Sequence, residues 1–341
     1  MTDHSSLATV ILAAGKGTRM KSSRAKVLHE VFYQPMVQHV LNVVKPMRPA
    51  RSIVIVGYQR AEVEQVLGGY DVTCVEQKEQ NGTGHAVLCA EAHLFSFTGH
   101  VMILCGDSPL LMTDHLQEMY DLHRASAAKL TIITTKLENP SNYGRILCDD
   151  AGNVMQVVEE KDATPEQRMI REINAGIYCV EKTFLFDALK QVTTDNSQGE
   201  MYLTDIVAIA VSQGIKVGRY EHPYPAHVLG VNSRVELAQA HSEIQARRNI
   251  KLMDSGVTMQ DPLSTSVAPT ASIGSECILA PQVSITGSST LGSGCCIEPG
   301  VFLKDAIVGS NVFIGANSVL CRCRISDGRN IPPMSYIDSS D

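Results

Sequence analysis

The chain has 341 residues, of which 44% are hydrophobic and 19% are charged, and it contains no tryptophan. This composition excludes a disordered chain and a small disulfide-stapled module, and the length suits two domains. With 29 basic and 36 acidic residues the formal net charge is −7. We therefore expect no nucleic-acid partner, because general nucleic-acid binders carry a surplus of basic residues.

The N-terminal sequence shows no targeting segment. The first apolar stretch, residues 10–14, is too short for a signal peptide or a membrane span, so no membrane partner is expected. Ten cysteines are scattered along the chain, without a CxxC pair and without the Cys/His spacing of a zinc site. We interpret them as reduced core residues, which favours a cytoplasmic location.

The first part of the chain alternates between strand and helix patterns. Short apolar runs predict strands over 7–13, 52–56, 72–75, 101–105 and 130–134, and later over 154–158, 173–180 and 216–220. Helices are predicted over 35–44 with proline at the first helical position, 61–67, 84–94, 113–124 with a hydroxyl cap, and 203–212. This alternation predicts parallel pairing in an α/β doubly wound domain, whose ligands lie beyond the carboxyl ends of the strands.

After an amphipathic stretch at 234–253 the pattern changes. An aliphatic residue recurs at every sixth position from Val267 to Leu303, and two five-residue steps then lead to hexads that start at Val308 and Ile325. Thirteen such positions over three faces predict a short left-handed parallel β-helix of about four coils. Because its apolar faces are exposed, we expect self-association as a homotrimer. The predicted domains are 1–232, a connecting helix over 233–255, and the β-helix over 256–341.

Two turns of the first domain carry candidate chemistry. Gly15-Lys16-Gly17 follows the first strand, and Arg19 and Lys26 lie shortly after it, so exposed N–H groups and two cations could hold a triphosphate. An ordinary basic strand-to-helix turn is the alternative. Asp107 follows another apolar strand, where it is either a turn residue or a ligand for Mg²⁺ over a phosphate site.

A third segment, 77–86, combines two glutamine side chains with a glycine pair that opens a helix. Amides offer both donors and acceptors to a pyrimidine edge, and glycine lets the backbone approach a flat base. A polar loop before a helix is the alternative. We interpret His85 as a structural residue at the helix start.

Nine short motifs stand in one order along the chain. They are LAAGKGTRM (12–20), KVLH (26–29), QNGTGHA (80–86), GDSPL (106–110), YGRI (143–146), VEEKDA (158–163), EINAG (172–176), QGEMYLTD (198–205) and GVNSR (230–234). Together they closely resemble the uridylyltransferase half of the bacterial bifunctional N-acetylglucosamine-1-phosphate uridylyltransferase/glucosamine-1-phosphate acetyltransferase family. The resemblance spans residues 7 to about 337.

The resemblance implies a Mg²⁺-dependent reaction that supplies a precursor for peptidoglycan. UTP and N-acetylglucosamine 1-phosphate give UDP-N-acetylglucosamine and pyrophosphate, without a side-chain nucleophile. By family likeness Arg19 and Lys26 are catalytic, and Asp107 and Asn232 hold the metal. The matching substrate-binding positions are Leu12, Ala13, Ala14, Gly15 and Gly106 near the nucleotide, Gln77, Gln80, Gly82 and Thr83 near uracil, and Gly144, Glu159, Asn174, Tyr202 and Thr204 near the sugar.

The chain departs from the family pattern in ways that leave alternatives open. Ala25 stands where proline is usual and Cys105 where a bulkier residue is frequent. Ala175 stands where threonine is common, so transfer to another sugar 1-phosphate stays an alternative. A further alternative is a non-catalytic assembly subunit that binds a nucleotide sugar. Because segments matching the acetyl-CoA site are missing, we expect no acetyltransferase activity from this polypeptide.

Overall fold

The computed structural model describes residues 6–339. The chain divides into two compact units. The first comprises residues up to Glu30 together with Gln34–Glu236, and the second comprises Val31–Tyr33 and the chain from Leu237 onward. The predicted boundaries after residues 232 and 255 stay a prediction, and most of the long helix, Arg234–Asp254, lies in the second unit.

The strands and helices of the first part follow the predicted runs closely. The strands are β1 Leu7–Ala13, β2 Glu30–Val31, β3 Gln34–Pro35, β4 Arg51–Val56, β5 Thr73–Glu76, β6 His100–Cys105, β7 Leu130–Lys136, β8 Arg145–Cys148, β9 Val154–Val158, β10 Glu172–Glu181 and β11 Gly218–Glu221. The helices are α1 Met36–Val44, α2 Arg60–Leu67, α3 Thr83–Leu88, α4 Thr113–Ala125, α5 Pro165–Arg168, α6 Lys182–Leu189, α7 Asp205–Ser212 and α8 Arg234–Asp254.

Some predicted helix ends differ from the structure. Pro35 precedes α1 as its N-cap and is not its first residue. Met112 precedes α4, and the hydroxyl of Thr113 donates a hydrogen bond to the carbonyl oxygen of Val43 at 2.8 Å, so the predicted hydroxyl cap is absent there. The helix predicted over 84–94 ends early, and a separate 3-10 turn follows α3. At Thr113 a tertiary contact thus replaces the local capping bond.

The main sheet has the strand order β11-β7-β10-β6-β1-β4-β5, with the β8–β9 hairpin joined to β10. Strands β6, β1, β4 and β5 are parallel, as predicted. Strand β10 instead runs antiparallel to both β6 and β7. Its register shifts between Asn174 and Tyr178, where Gly176 has a φ of 76°. The α/β doubly wound class is confirmed, with one reversed strand inside the sheet.

Strand β1 is buried on both sides. Leu7, Ile11 and Ala13 face a core shared with α1, α2 and α4, whereas Ala8 and Val10 face a second core shared with α3, α6 and α7. A strand covered on both faces reads as a continuous apolar run, which is why LATVILA shows no polar alternation. Strand β1 is therefore an interior strand of the sheet, between β6 and β4.

The candidate binding turns lie at the carboxyl ends of the parallel strands. The backbone N–H of Gly106 donates to the carbonyl oxygen of Leu12 at 2.9 Å, which ties the turn after β6 to the end of β1. The N–H of Gln77 donates to the carbonyl oxygen of Val56 at 2.8 Å and ties the segment after β5 to the end of β4. The turns are therefore neighbours at one edge of the sheet, as predicted for ligand sites in this class of fold.

The second unit is a stack of short parallel strands. They are β12 Thr258–Met259, β13 Ser266–Val267, β14 Ser272–Ile273, β15 Ile278–Leu279, β16 Ser284–Thr286, β17 Thr290–Leu291, β18 Cys296–Ile297, β19 Phe302–Lys304, β20 Ile307–Val308, β21 Phe313–Ile314, β22 Val319–Cys321, β23 Arg324–Ile325, β24 Asn330–Ile331 and β25 Tyr336–Asp338. Every third strand pairs in parallel, which gives three sheets. The predicted left-handed β-helix is confirmed.

The coil count differs from the prediction. Two of the three sheets hold five strands and the third holds four, so the stack has a fifth, incomplete coil where about four coils were expected. The additional strand is β12, which lies before Val267 and outside the six-residue interval on which the count relied. The predicted aliphatic positions point inward: Ile285, for example, pairs with Val267 and Leu303 on neighbouring coils and is fully buried.

We predict that Ile285→Ala lowers the free energy of unfolding of the second unit by about 2–5 kcal/mol, because it leaves a cavity between two coils. The matched control is Ile307→Ala, since Ile307 lies in the same β-helix but is 40% exposed, and it should cost much less. Urea denaturation of both variants measures the difference. Equal losses would contradict the assignment of Ile285 to the interior.

Candidate active site

A cleft of about 340 Å³ opens at the carboxyl edge of the main sheet. Most of its lining comes from three segments that the sequence singled out, those that follow β1, β5 and β6. The lining residues are Leu12, Ala13, Ala14, Gly15, Gly17, Lys26, Val27, Gln77, Gln80, Gly82, Thr83, Ala86, Cys105, Asp107 and Glu200. Ten of the predicted site residues are among them, so the structure gathers these segments around one space.

The glycine turn after β1 is shaped by its contact with a lysine. Gly17 has a φ of 70°, a conformation that favours glycine, and a Cβ placed there would lie 2.6 Å from the Cβ of Lys26. A side chain at this position would therefore displace Lys26. Lys16 lies outside this contact, with its ammonium 5.4 Å from the centre of the Tyr58 ring.

Four polar residues from distant parts of the chain meet at one end of the cleft. The ammonium of Lys26 forms an ion pair with the carboxylate of Asp107 and donates a hydrogen bond of 2.6 Å to Oδ1 of Asn232. Arg19 donates to the same oxygen at 2.7 Å. The side chains of Lys26 and Asp107 are only 14% and 18% exposed. We refer to Arg19, Lys26, Asp107 and Asn232 as the charged cluster.

The segment 230–232 is held against the turn after β6. The N–H of Val231 donates to the carbonyl oxygen of Asp107 at 2.8 Å. A Cβ on Gly230 would lie 2.7 Å from Oδ1 of Asp107, so only glycine leaves room for the carboxylate. The amide of Asn232 donates to the carbonyl oxygen of Gly230 at 2.9 Å, which turns Oδ1 toward the two cations. This role of Gly230 was not predicted from the sequence.

The backbone of Asn232 has a further partner that the sequence analysis missed. Its N–H donates to the carboxylate of Glu236, in the first turn of α8. Ser233 and Glu236 have the Ser-x-x-Glu spacing of a capping box at the start of α8, and this signal could have pointed to Glu236. Glu236 thereby fixes the backbone that carries Asn232.

The glutamine-rich segment closes another side of the cleft. Gln80 donates through Nε2 to the carbonyl oxygen of Ala14 at 2.9 Å, which links this segment to the glycine turn. Nε2 of Gln77 donates to the carbonyl oxygen of Gly82 at 3.0 Å and lies 3.2 Å from Nδ1 of His85. His85 therefore has the structural contact expected of it. Gly82 has a φ of 104°, so the chain turns sharply there into α3.

The predicted sugar-binding residues form a second group. The hydroxyl of Thr204 donates to Oε1 of Glu159 at 3.0 Å, and a Cβ on Gly144 would lie 3.6 Å from Oε2 of the same side chain. The N–H of Asn174 donates to the carbonyl oxygen of Gly144 at 2.9 Å. Tyr202 lies beside this group on the segment before α7. These residues do not line the cleft itself.

Cys105 lies between the cleft and the predicted sugar-binding group. It lines the cleft, and its Sγ lies 3.6 Å from the carbonyl oxygen of Gly176, whose N–H donates to Oδ1 of Asn174 at 3.1 Å. Burial, and to a lesser extent the Asp107 carboxylate, raise the pKa of Cys105 to about 12. The thiol is therefore neutral at physiological pH. It acts here as a small packing group between the cleft and the bulge of β10.

Glu159 is a partly buried carboxyl group. Removal from solvent raises its pKa, and the hydrogen bond from Thr204 opposes that shift. The carboxylates of Asp205 and Asp162 also favour the protonated form. An acidic side chain in such surroundings costs stability when it is ionised, which is typical of residues kept for binding.

Comparisons with known proteins agree with this geometry. Residues 8–223 match the nucleotidyl transferase family. The chain is 48% identical to the bifunctional protein GlmU of Desulfotalea psychrophila over 97% of this chain and 98% of that protein. It is 42% identical to the protein of the same name from Pelobacter propionicus over 97% of this chain and 72% of that protein. It is 45% identical to the Heliobacterium modesticaldum protein of that name over 96% of this chain and 71% of that protein.

The doubly wound sheet, with a glycine turn and the charged cluster at its carboxyl edge, defines a nucleotide-dependent transferase. The chain belongs to the nucleotidyl transferase family and, within it, to the GlmU proteins. It is a sugar-1-phosphate uridylyltransferase, and the resemblance seen in the nine motifs is confirmed. Enzymes of this family use a divalent metal ion. Within residues 6–339, no helix is both long and apolar enough to cross a membrane.

We predict that Glu159→Gln stabilises the fold at neutral pH but not in acid. The folded-state pKa of Glu159 lies above its ordinary value of 4.5, so burial of the ionised form costs stability once the pH rises through and beyond that value, and nothing below it. Chemical denaturation at pH 4 and at pH 7 measures the free energy of unfolding of both proteins.

The gain of the Gln variant over the wild type should increase with pH. Asp150→Asn, at an exposed carboxyl group of the same unit, is the matched control and should show no such increase. A gain for Glu159→Gln that is equal at both pH values would contradict the burial penalty.

Proposed function

We propose that the chain catalyses uridylyl transfer to N-acetylglucosamine 1-phosphate at the charged cluster. A phosphate oxygen of the sugar phosphate attacks the α-phosphorus of UTP, and the bond from that phosphorus to the pyrophosphate leaving group breaks. The products are UDP-N-acetylglucosamine and pyrophosphate. The observation that carries the proposal is the meeting of two cations, a carboxylate and an amide oxygen at one end of the cleft.

The oxygens of Asp107 and Asn232 fit a divalent cation. Both lie against the same ammonium nitrogen of Lys26, so they already face one positive charge. Carboxylate and amide oxygens are the hard donors that Mg²⁺ prefers, and Mg²⁺ is commonly held by one or two protein groups together with substrate phosphates. We therefore propose Mg²⁺ as the metal and these two residues as its protein ligands. When bound, it would neutralise charge on the phosphates.

Lys26 and Arg19 supply the remaining positive charge. Both side chains carry more N–H donors than Asn232 can accept, so each can also pair with a phosphate oxygen. Phosphoryl transfer needs little covalent help from the protein, since positioning and charge stabilisation account for most of the rate. In this proposal the two cations stabilise charge that develops on the transferring phosphorus and on the departing pyrophosphate.

The cleft suits the nucleotide, and the neighbouring group of predicted sugar-binding residues suits the sugar. The backbone of residues 12–15 and Gly106 would approach the nucleotide phosphates and ribose. Gln77, Gln80, Gly82 and Thr83 would contact uracil, and the hydrogen bonds from Gln77 to Gly82 and from Gln80 to Ala14 hold that wall in place. Gly144, Glu159, Asn174, Tyr202 and Thr204 would bind the N-acetyl sugar. The half-buried carboxylate of Glu159, hydrogen-bonded to Thr204, is a suitable acceptor for sugar hydroxyls.

The setting and assembly are also proposals. All ten cysteines are free thiols, which suits the cytoplasm, where UTP is available. The exposed faces of the β-helix suit a homotrimer, which would sediment at about three times the mass of 37.0 kDa.

The substrate assignment is tested by mixing the protein with UTP, Mg²⁺ and a panel of sugar 1-phosphates while pyrophosphate release is followed. We expect release with N-acetylglucosamine 1-phosphate, and its loss when Mg²⁺ is removed or when Asp107 is changed to alanine. Preference for a different sugar would favour the alternative that Ala175 leaves open. Absence of turnover with every sugar, together with nucleotide-sugar binding, would favour an assembly subunit. Near-normal turnover of Asp107→Ala would remove Asp107 from the metal role.

We predict that Arg19→Ala and Lys26→Ala each lower kcat by about 100- to 1,000-fold, the usual loss when one charge-stabilising donor is removed. The KM for the sugar phosphate should change far less, because both cations pair with Asn232 and not with the side chains of the predicted sugar-binding group. Lys129→Ala removes an exposed lysine of the same unit and should behave like the wild type. The opposite pattern, weak sugar binding with normal kcat, would reassign the two cations as binding residues.

A further inference from the structure

Three histidines that are distant in sequence lie together in the first unit. His115 belongs to α4, His222 directly follows β11, and His227 ends the short 3-10 turn Pro225–His227. The ring centres of His115 and His222 are 4.2 Å apart, and those of His115 and His227 are 5.5 Å apart. One ring nitrogen from each residue lies within 4.8 Å of the other two. We refer to these three residues as the histidine cluster.

Two of the rings have a nitrogen that no hydrogen bond in the described residues satisfies. Nδ1 of His222 lies 2.9 Å from the carbonyl oxygen of Tyr224, but its Nε2 is buried without a partner. Nδ1 of His115 is likewise buried without a partner. Buried polar nitrogens are almost always hydrogen-bonded or bound to a metal. Two such nitrogens in one cluster of three imidazoles point to a missing ligand.

An acidic side chain lies near the cluster. The ring centres of Tyr220 and His222 are 6.1 Å apart. Glu118, one turn after His115 on α4, accepts a hydrogen bond from the hydroxyl of Tyr220. A cation at the cluster would thus have an acidic group close by.

We propose that His115, His222 and His227 bind one Zn²⁺ ion. Imidazole nitrogens suit zinc and other borderline transition metals, whereas the oxygen-seeking Mg²⁺ does not prefer them. Three histidines plus a water molecule form a familiar four-coordinate arrangement for zinc. This site is chemically distinct from the oxygen donors of Asp107 and Asn232, and it does not share a residue with them.

The position of the cluster suggests what the zinc ion does. His115 lies on the helix that follows the Asp107 turn, and His227 precedes Asn232 by five residues. Zinc would therefore join the two segments that carry the proposed Mg²⁺ ligands, which are already joined by the hydrogen bond between Val231 and Asp107. The histidines are positioning residues in this role, and only this role, not the zinc site itself, depends on the proposed function.

Zinc binding can be measured without substrates. The full chain is freed of metal with a chelator and titrated with Zn²⁺ against a chromophoric chelator of known affinity. We expect one tight site per chain, with affinity lowered by about 100-fold or more in His115→Gln and His227→Gln. His93→Gln, which changes an exposed histidine of the same unit, should bind as the wild type does. Circular dichroism of the metal-free proteins checks that each variant is folded.

Two further measurements separate this site from the active site. Asp107→Asn should keep the tight zinc site, and X-ray absorption should report imidazole nitrogens at about 2.0–2.1 Å from zinc. Zn²⁺ should raise the melting temperature of the wild type but not that of His115→Gln. Wild-type affinity no greater than that of His115→Gln, or loss of tight binding in Asp107→Asn, would overturn the proposal. Because these readouts use no substrate, a failed uridylyl transfer assay would leave them unaffected.

Discussion

The active-site geometry depends on the burial of β1 between two cores. Both faces of this strand are covered, and parallel neighbours flank it on both sides. The chain must therefore leave the sheet at Ala14, next to the points where it leaves β4 and β6. A glycine turn and an aspartate turn that are distant in sequence become neighbours by this constraint alone. The remaining site residues are arranged around that junction.

In the charged cluster, an ion pair compensates for the burial of two charged side chains. Lys26 and Asp107 are largely removed from solvent, and such charges are tolerated because they face each other and are hydrogen-bonded. Asn232 adds an acceptor without adding charge, which leaves the group with a surplus of one positive charge from Arg19. A polyphosphate entering the cleft meets that surplus in surroundings of low polarity, where its effect is greater than in water. Gly230 and Glu236 keep this arrangement in place from the other side.

Local signals in the sequence were sufficient for part of the structure. The hexads predicted thirteen of the fourteen β-helix strands, because one inward aliphatic position per strand repeats with little interference from other contacts. The glycine and aspartate turns were visible as breaks after apolar runs. The reversed direction of β10 was not, since antiparallel and parallel buried strands have similar composition. Strand β12 was also missed. Its residues do not continue the six-residue interval, so they leave no periodic signal.

Some residues of the active site could be predicted from residue chemistry alone, and others could not. Residue chemistry alone suggested the turn with Arg19 and Lys26 and the carboxylate of Asp107, but it could not bring Asn232 to them. That pairing came from the family resemblance, because 125 positions separate Asp107 from Asn232. The histidine cluster was missed for a related reason. A search for closely spaced ligands cannot find His115 beside His222, which only the packing of α4 against the end of β11 brings together.

The stacked sheets of the second unit have a consequence for how such a chain can vary. Each strand pairs only with the equivalent strand one coil above and one coil below, so its energy depends on nearest neighbours. Gain or loss of a whole coil then changes only the interfaces with its neighbouring coils and leaves the rest of the β-helix intact. The β-helix can therefore lengthen or shorten by whole coils during evolution. Such changes leave the active site of the first unit unaltered.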